Sequence, residues 1–383
     1  MHVLFRLYEP MLFRGPMEFS PFVRGPKTVA RSLILPTPST IAGALATLCL
    51  DAQKAQPPQA GRWEEEITEV LGLDGALKGP YLLVESNGRG EIYTQFIDHL
   101  VMIDEIIRAL QSLDQDLKDI LISEKKRLRR FLEENHVHFY QPVLIERVGI
   151  RLEREHKRVV ERGGGPYTLQ MVDYSKLRSS RGEIVVNKTM DSVSVAVDIH
   201  GRSKISNIEK KENILRLGGE GRLSYVMIKE GEPMTSMVRE LLTDFRKGEA
   251  YIYLITYSLY KSDKNYARIY EACKGGFVAP SILEKVEEVL KRVSQSLRPR
   301  YIIGECGILG AGYSISVEAR KPIYAALFPG AIIKVEGTKE DLLKLYEEGI
   351  SEEGSKIGYG TVIPIPIPPN TSSRKVCISK AQS

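Results

Sequence analysis

The sequence predicts an α+β fold built from antiparallel sheets with helices packed on one face. Three observations carry that prediction. Apolar and polar residues alternate over short runs, capped helices separate those runs, and few connections have the regular strand–helix–strand form of a parallel sheet. The 383 residues include 43% hydrophobic and 27% charged side chains, enough for two or three domains and a sizeable core. No run reaches the roughly 18 apolar residues of a membrane-spanning helix. Arg6 and Glu9 interrupt the start of the chain where a signal peptide needs an apolar block.

The elements follow in order. Val3–Tyr8 reads as a first strand. A Pro- and Gly-rich stretch comes next, carrying Arg14, Arg24, Lys27 and Arg31 among Phe13, Phe19 and Phe22. Prolines stop the chain at Leu35-Pro-Thr-Pro, and Ser39 or Thr40 is expected to cap a helix whose Ala42, Gly43, Ala44 and Ala46 allow close packing. A linker covers Gln53–Gly61. Residues 100–134 read as helix with a break near Ser123, and Lys125, Lys126, Arg127, Arg129 and Arg130 make a basic face. That face is either solvated or an RNA contact. His136 and His138 fall on one side of a strand. The segment from Val148 and the one resuming at Tyr167 form a hairpin with a charged, glycine-rich tip.

Residues 175–215 are polar and poorly periodic, which suggests loops and short strands. Leu217-Gly218-Gly219-Glu220-Gly221-Arg222-Leu223 then opens a strand through Ile228. Met237 to Phe245 reads as a helix ended by Gly248, and Ala250–Tyr260 as one long strand. Ser281-Ile-Leu-Glu284 has the pattern of a capping box at the head of another helix. Strands are expected at Tyr301–Ile303, Ser314–Val317, Ile323–Leu327 and Ile332–Val335. Thr338-Lys-Glu-Asp341 starts a last helix, and Gly349 is its natural stop.

Several chemistries are disfavoured. Cys49, Cys273, Cys306 and Cys377 lie far apart, so their spacing supports neither a zinc site nor a disulfide framework and points to a reducing cytoplasm. The net charge of +5 permits an acidic partner without demanding one. Gly349-Ile-Ser-Glu-Glu-Gly354 lacks the Gly-Lys-Ser/Thr ending and following helix of a nucleotide P-loop. Gly304 to Gly312 has the glycines of a dinucleotide fingerprint, but a strand follows, so a turn or bulge is expected. No histidine sits in a nucleophile elbow or metal spacing. Glycine-rich loops bring bare amides close to phosphate, and RNA is held by phosphate contacts and base stacking. The terminal loop Gly354-Ser-Lys356-Ile-Gly358-Tyr359-Gly360, the arginines of the first loop and the hairpin tip fit that chemistry. The alternative is that these loops only connect strands.

Taken in order, Leu12-Phe13-Arg14-Gly15, Pro36-Thr-Pro-Ser39-Thr40-Ile-Ala-Gly43, Gly149-Ile150, Leu217 to Arg222, Pro329-Gly330 and the terminal glycine loop resemble the RAMP superfamily of CRISPR-associated proteins. Within it, the chain is similar to the family of third subunits of Cmr, or type III-B, effector complexes. The resemblance implies two ferredoxin-like (RRM-like) domains with antiparallel sheets. It places one at 1–230 with helical and hairpin insertions and one at 231–370, followed by a tail at 371–383 that has no counterpart. It implies a non-catalytic, cofactor-free RNA-binding subunit in antiviral defence. Such a subunit holds the 5′ tag of the CRISPR RNA and docks the large polymerase-like subunit beside other RAMP subunits. Gly218, Gly219, Gly221 and Arg222, the terminal Gly354, Lys356, Gly358, Tyr359 and Gly360, and Ser39 and Thr40 match its motifs. Arg14, Arg24 and Lys27 are added from the first loop, which lacks the acidic neighbour often found beside that arginine. The alternative within the superfamily is a metal-independent endoribonuclease that processes repeat RNA, with His2, His136 or His138 as general acid or base.

Overall fold

The computed structural model describes residues 1–14, 29–56, 62–86, 89–95, 138–149, 167–179, 191–218, 221–261, 280–314 and 319–367, with isolated helical positions between 119 and 130. The fold is α+β. Its first half is a nine-stranded sheet made of β1 (His2–Arg6), β2 (Val29–Arg31), β3 (Ala76–Ser86), β4 (Arg89–Gln95), β5 (His138–Gly149), β6 (Tyr167–Ser179), β7 (Asp191–His200), β8 (Glu212–Arg216) and β9 (Leu223–Lys229). Their order is β2-β6-β5-β4-β3-β7-β1-β9-β8, antiparallel except for the pairs β2–β6 and β4–β5.

Both faces of the central strands are buried, which explains the nearly continuous apolar run of β1. Val3 and Phe5 join a core with Ile41 and Leu45 of α1 (Pro38–Gln53) and Ile67 of α2 (Trp63–Leu71). Leu4 points the other way, into a core with Tyr81, Ile252 and Leu345 that belongs mostly to the second half. The two halves therefore share their apolar interior.

The second half comprises α3 (Pro233–Leu241), β10 (Lys247–Leu254), β11 (Ser258–Tyr260), α4 (Pro280–Val293), β12 (Arg298–Ile303), β13 (Cys306–Gly310), β14 (Tyr313–Ser314), β15 (Ala319–Arg320), β16 (Ile323–Leu327), β17 (Ile332–Thr338), α5 (Lys339–Glu348) and β18 (Val362–Pro366). Its main sheet runs β12-β17-β10-β18, with a smaller one, β11-β16-β13, beside it. The four central strands of the first sheet lie in the order β9-β1-β7-β3, and those of the second in the order β18-β10-β17-β12. Numbered along the chain within each half, both read fourth, first, third, second. A helix joins first to second strand in both halves, α1 and α4. From third to fourth, the second half uses α5, whereas the first has the short 3-10 turn Lys204–Asn207 and β8.

Several expectations are corrected. The first helix begins at Pro38 with Thr37 as its N-cap residue, and the Thr37 hydroxyl contacts the hydroxyls of Ser39 and Thr40 instead of capping an amide. Ser39 and Thr40 are thus inside the helix. A Cβ on Gly43 would meet nothing within 4 Å, so α1 packs closely through Ala42 and Ala46. Ser281 falls inside α4, which starts at Pro280. The stretch 250–260 is two strands in different sheets, because Thr256 turns inward to donate from Oγ1 to Gly358 O at 2.6 Å.

The region expected to be loops contains β7, a central strand whose Val195, Val197 and Ile199 alternate into the core. Gly307 and Gly310 lie in strand β13, not in a turn. Cys306 is disulfide-bonded, whereas Cys49 is free and buried. Most of the 100–134 helix, the hairpin tip and the terminal tail lie outside the described residues.

Candidate nucleic-acid interface

The sequence-predicted residues assemble at two places. The first is a corner of the large sheet. Gly218 has φ +74°, and a Cβ there would lie 2.7 Å from Leu12 O and 3.1 Å from the Phe13 ring. Only glycine lets the mid-chain turn lie this close to the first loop. The turn closes through Leu217 N–H to Arg222 O at 2.9 Å. Arg222 pairs with Glu9, whose other carboxylate oxygen accepts from Leu223 N at 3.3 Å.

The first loop is itself anchored. Phe13 N donates to Ser32 Oγ at 2.8 Å, its ring meets Tyr174 edge-on at 6.4 Å, and Leu33 N donates to Phe13 O. Phe13 is buried, and Arg14 next to it is exposed. The structure thus joins the Arg14 loop to the Gly218–Arg222 turn, more than 200 residues apart in sequence, and presents Arg14, Gly218, Gly221 and part of Arg222 to solvent. The acidic partner of Arg222 is Glu9, five positions before Arg14, which the first-loop motif alone does not reveal. Arg24, Lys27 and Gly219 lie outside the described residues.

The second place is the junction of the two halves, and there the terminal glycine loop is interior. Gly354, Gly358, Tyr359 and Gly360 are buried. A Cβ on Gly358 would sit 2.4 Å from Gly79 O, and one on Gly360 would sit 2.4 Å from Ser351 N. The amides of Gly354 and Lys356 donate to the carboxylate of Glu64 at 2.9 and 3.2 Å. Gly360 N donates to Tyr257 O at 2.8 Å. The anion these amides hold is the chain's own carboxylate.

Ser39 comes to the same junction, donating to Ala311 O at 2.9 Å and accepting from Tyr359 OH at 3.0 Å. Burial raises the Tyr359 phenol's pKa, and its hydrogen bond with Ser39 partly opposes that shift. Of the sequence-predicted residues here, Thr40 is partly exposed and Lys356 exposed.

Trp63, with Tyr324 and Lys321, completes this junction and was missed by sequence reasoning. Its Nε1 donates to Tyr324 OH at 3.0 Å, its ring meets Tyr359 at 6.1 Å, and Lys321 Nζ lies 5.3 Å over it. Burial lowers the Lys321 ammonium's pKa, and Glu66 opposes that. The only usable signal was the chain's single tryptophan standing just before Glu64-Glu65-Glu66.

Of the candidate acid–base histidines, His2 is 6% exposed, with Nδ1 2.9 Å from Gly231 O. It is committed to the interior. His136 and the His138 side chain lie outside the described residues. Among the described residues, no group of three or more His, Cys, Asp or Glu could hold a metal, and no helix is long and apolar enough to cross a membrane.

A family model described as CRISPR-associated protein (Cas_Cmr3) matches residues 8–105 and 114–365. The chain belongs to this family. Every candidate contact residue named above falls within the matched segments of the Cas_Cmr3 family. A curated relative, the CRISPR system CMR subunit Cmr3 of Saccharolobus solfataricus, is 22% identical over 366 residues, covering 94% of this chain and 95% of its own. Among solved structures, a chain of the type III-B Cmr-beta complex bound to cognate target RNA is 20% identical with TM-score 0.50, covering 94% of this chain and 96% of its own. A chain of that complex with target RNA and AMPPnP is 19% identical at the same TM-score and coverage. These two likenesses show a shared fold.

Proposed function

We propose that this chain is a non-catalytic RNA-binding subunit of a type III-B CRISPR effector complex. In this reading it holds the 5′ tag of the CRISPR RNA in the cytoplasm and docks the large polymerase-like subunit beside other RAMP subunits. The observation that carries the reading is the convergence of the Arg14 loop and the Gly218–Arg222 turn on one exposed corner, in a chain whose family match runs through both. Fixed arginines beside exposed glycine amides set the register of a phosphate backbone and need no nucleophile. The repeated fourth-first-third-second strand order supports two ferredoxin-like domains, 1–230 and 231–370, the first with its second helix replaced by a turn and an edge strand.

The buried terminal loop narrows the proposed contacts. Arg14, Gly218, Gly221 and Arg222 form the corner, and Arg24, Lys27 and Gly219 are proposed contacts on their sequence motifs alone. Thr40 and Lys356 reach the surface near the junction. Ser39, Gly354, Gly358, Tyr359 and Gly360 support the site from within.

The test is purification of the tagged chain from its host, with sequencing of the RNA 5′ ends that come with it. RNAs sharing one repeat-derived 5′ sequence are expected. Arg14→Ala and Arg222→Ala should each weaken binding and lower the salt slope by about 1. Recovery of the same RNA by both variants at unchanged salt dependence would remove the corner from the site.

A further inference from the structure

The outer edge of the large sheet borders the candidate RNA corner and shares Glu9 and Arg222 with it. β8 is the last strand in the order, and its pairing with β9 runs without a register shift from Glu212↔Met227 to Arg216↔Leu223. Leu217 N donates to Arg222 O and Ile228 N to Lys211 O, both at 2.9 Å. Bonded and non-bonded pairs alternate along an antiparallel ladder. The pairs of Glu212, Ile214 and Arg216 are therefore the non-bonded ones, and their N–H and C=O groups point away from β9. Among the described residues, no strand pairs with that row.

The strand is well anchored from its other face, where Leu215 packs into the core with residues of α1. Its exposed face sets an apolar centre between the charges of Glu212 and Arg216. Ile214 is 67% exposed, Leu223 on the neighbouring strand 51%, and Tyr8, just past β1, 77%. Free edges are ordinarily blunted by proline, bulges or a run of lysines. The segment Glu212-Asn-Ile-Leu-Arg216 has no proline and no bulge, and an isoleucine stands at its centre. The charges around this patch have both signs, with Glu9, Glu209 and Glu212 as well as Lys210, Lys211, Arg216 and Arg222. Charges of both signs around an apolar centre suit a protein strand, whose side chains can match each of them.

We infer that β8 accepts an extended strand from a protein partner in the assembly. The partner strand pairs with the outward groups of Glu212, Ile214 and Arg216. It places an apolar side chain over Ile214, Leu223 and Tyr8, a cation opposite Glu212 and a carboxylate opposite Arg216. The inference rests on the reading that the chain is a complex subunit.

Proline at 214 removes an outward N–H without touching the β8–β9 ladder, and Leu223→Lys alters only an exposed side chain. Each full-length variant would be tagged and co-expressed with the other complex subunits. The co-purified subunits and RNA would then be quantified, and melting of the isolated variants compared with the parent. Hydrogen exchange at 212, 214 and 216 would be followed in the free and assembled chain. The expected result is a loss of about tenfold or more in recovery of one protein subunit, unchanged melting of Leu223→Lys, and protection of the three amides on assembly. Full recovery with both variants, or three amides that exchange equally fast in the complex, would overturn the proposal. Loss of RNA with all protein subunits retained would overturn it in favour of a nucleic-acid surface. A parent chain that recovers no complex subunit would overturn the assembly reading, and the docking strand with it.

Discussion

The terminal glycine loop and the mid-chain glycine turn have similar compositions and opposite surroundings. In the terminal loop, Gly358 and Gly360 have positive φ and sit where a Cβ would strike backbone atoms at 2.4 Å. In the mid-chain turn, Gly221 has φ +65° and nothing within 4 Å of a Cβ. Gly358 serves close packing between the two halves and Gly360 close packing within the second, whereas Gly221 serves a surface turn beside Arg222. Glycine content alone does not separate these uses, since both need positive φ. What separates Gly358 from Gly221 is the second partner, the backbone of Gly79 in β3 or open solvent.

Substitutions can break this contrast. Gly360→Ala combines a left-handed backbone with a clash, and should cost roughly 3 kcal/mol or more in chemical denaturation. Gly221→Ala should cost about 1 kcal/mol, because only the backbone preference is lost. Equal losses for the two would mean that the terminal loop is not packed as described.

A second large effect lies beside the terminal loop. Lys78 of β3 is 1% exposed and donates from Nζ to Glu347 O at 2.5 Å in the last turn of α5. Burial lowers its pKa from 10.5 to about 8, against the opposing pull of Glu347 and Glu348. The folded chain therefore binds fewer protons than the unfolded chain between about pH 8 and pH 10, and stability should rise with pH across that window. Full relief is worth about 3 kcal/mol. Lys78→Met should flatten the rise, as read from denaturation midpoints at pH 8, 9 and 10. A variant with the parent's pH profile would assign the rise to another group.

Glu64→Gln gives the smaller, sharper test. It keeps the shape but removes the charge that accepts from Gly354 and Lys356, and a loss of about 1 kcal/mol is expected. RNA recovery should be unchanged, because this carboxylate occupies the loop amides in place of phosphate. Increased RNA affinity in Glu64→Gln would show that the loop also competes for phosphate.

Local chemistry made much of the second half legible. Thr338 and Asp341 begin the expected helix, closing a capping box, and Gly349 ends it. The strand Ile323–Leu327 has the boundaries that its alternation predicts. The first half was harder because its elements are tertiary constructions. β7 carries Asp191, Ser192, Ser194 and Asp198 among its valines, so its sequence looks polar although it sits at the sheet centre. Asp198 is tolerated at 0% exposure because Tyr81 OH donates to it at 2.6 Å and Thr235 N at 3.0 Å. Those partners lie on other elements and leave no trace near residue 198. The Arg14 loop and the Gly218 turn were each visible as motifs, but their contact was not.

The sequence by itself determined the α+β class, the antiparallel pairing, the C-terminal helix with its cap and stop, and the resemblance that named the family. These depend on periodicity and on hydrogen bonds closed within one turn, so the information lies within a few residues. Tertiary structure alone decided that the terminal glycines face inward, that 250–260 divides between two sheets, and that Lys78 and Asp198 are buried. Each depends on a partner supplied from far along the chain, and burial is a property of both surfaces that meet.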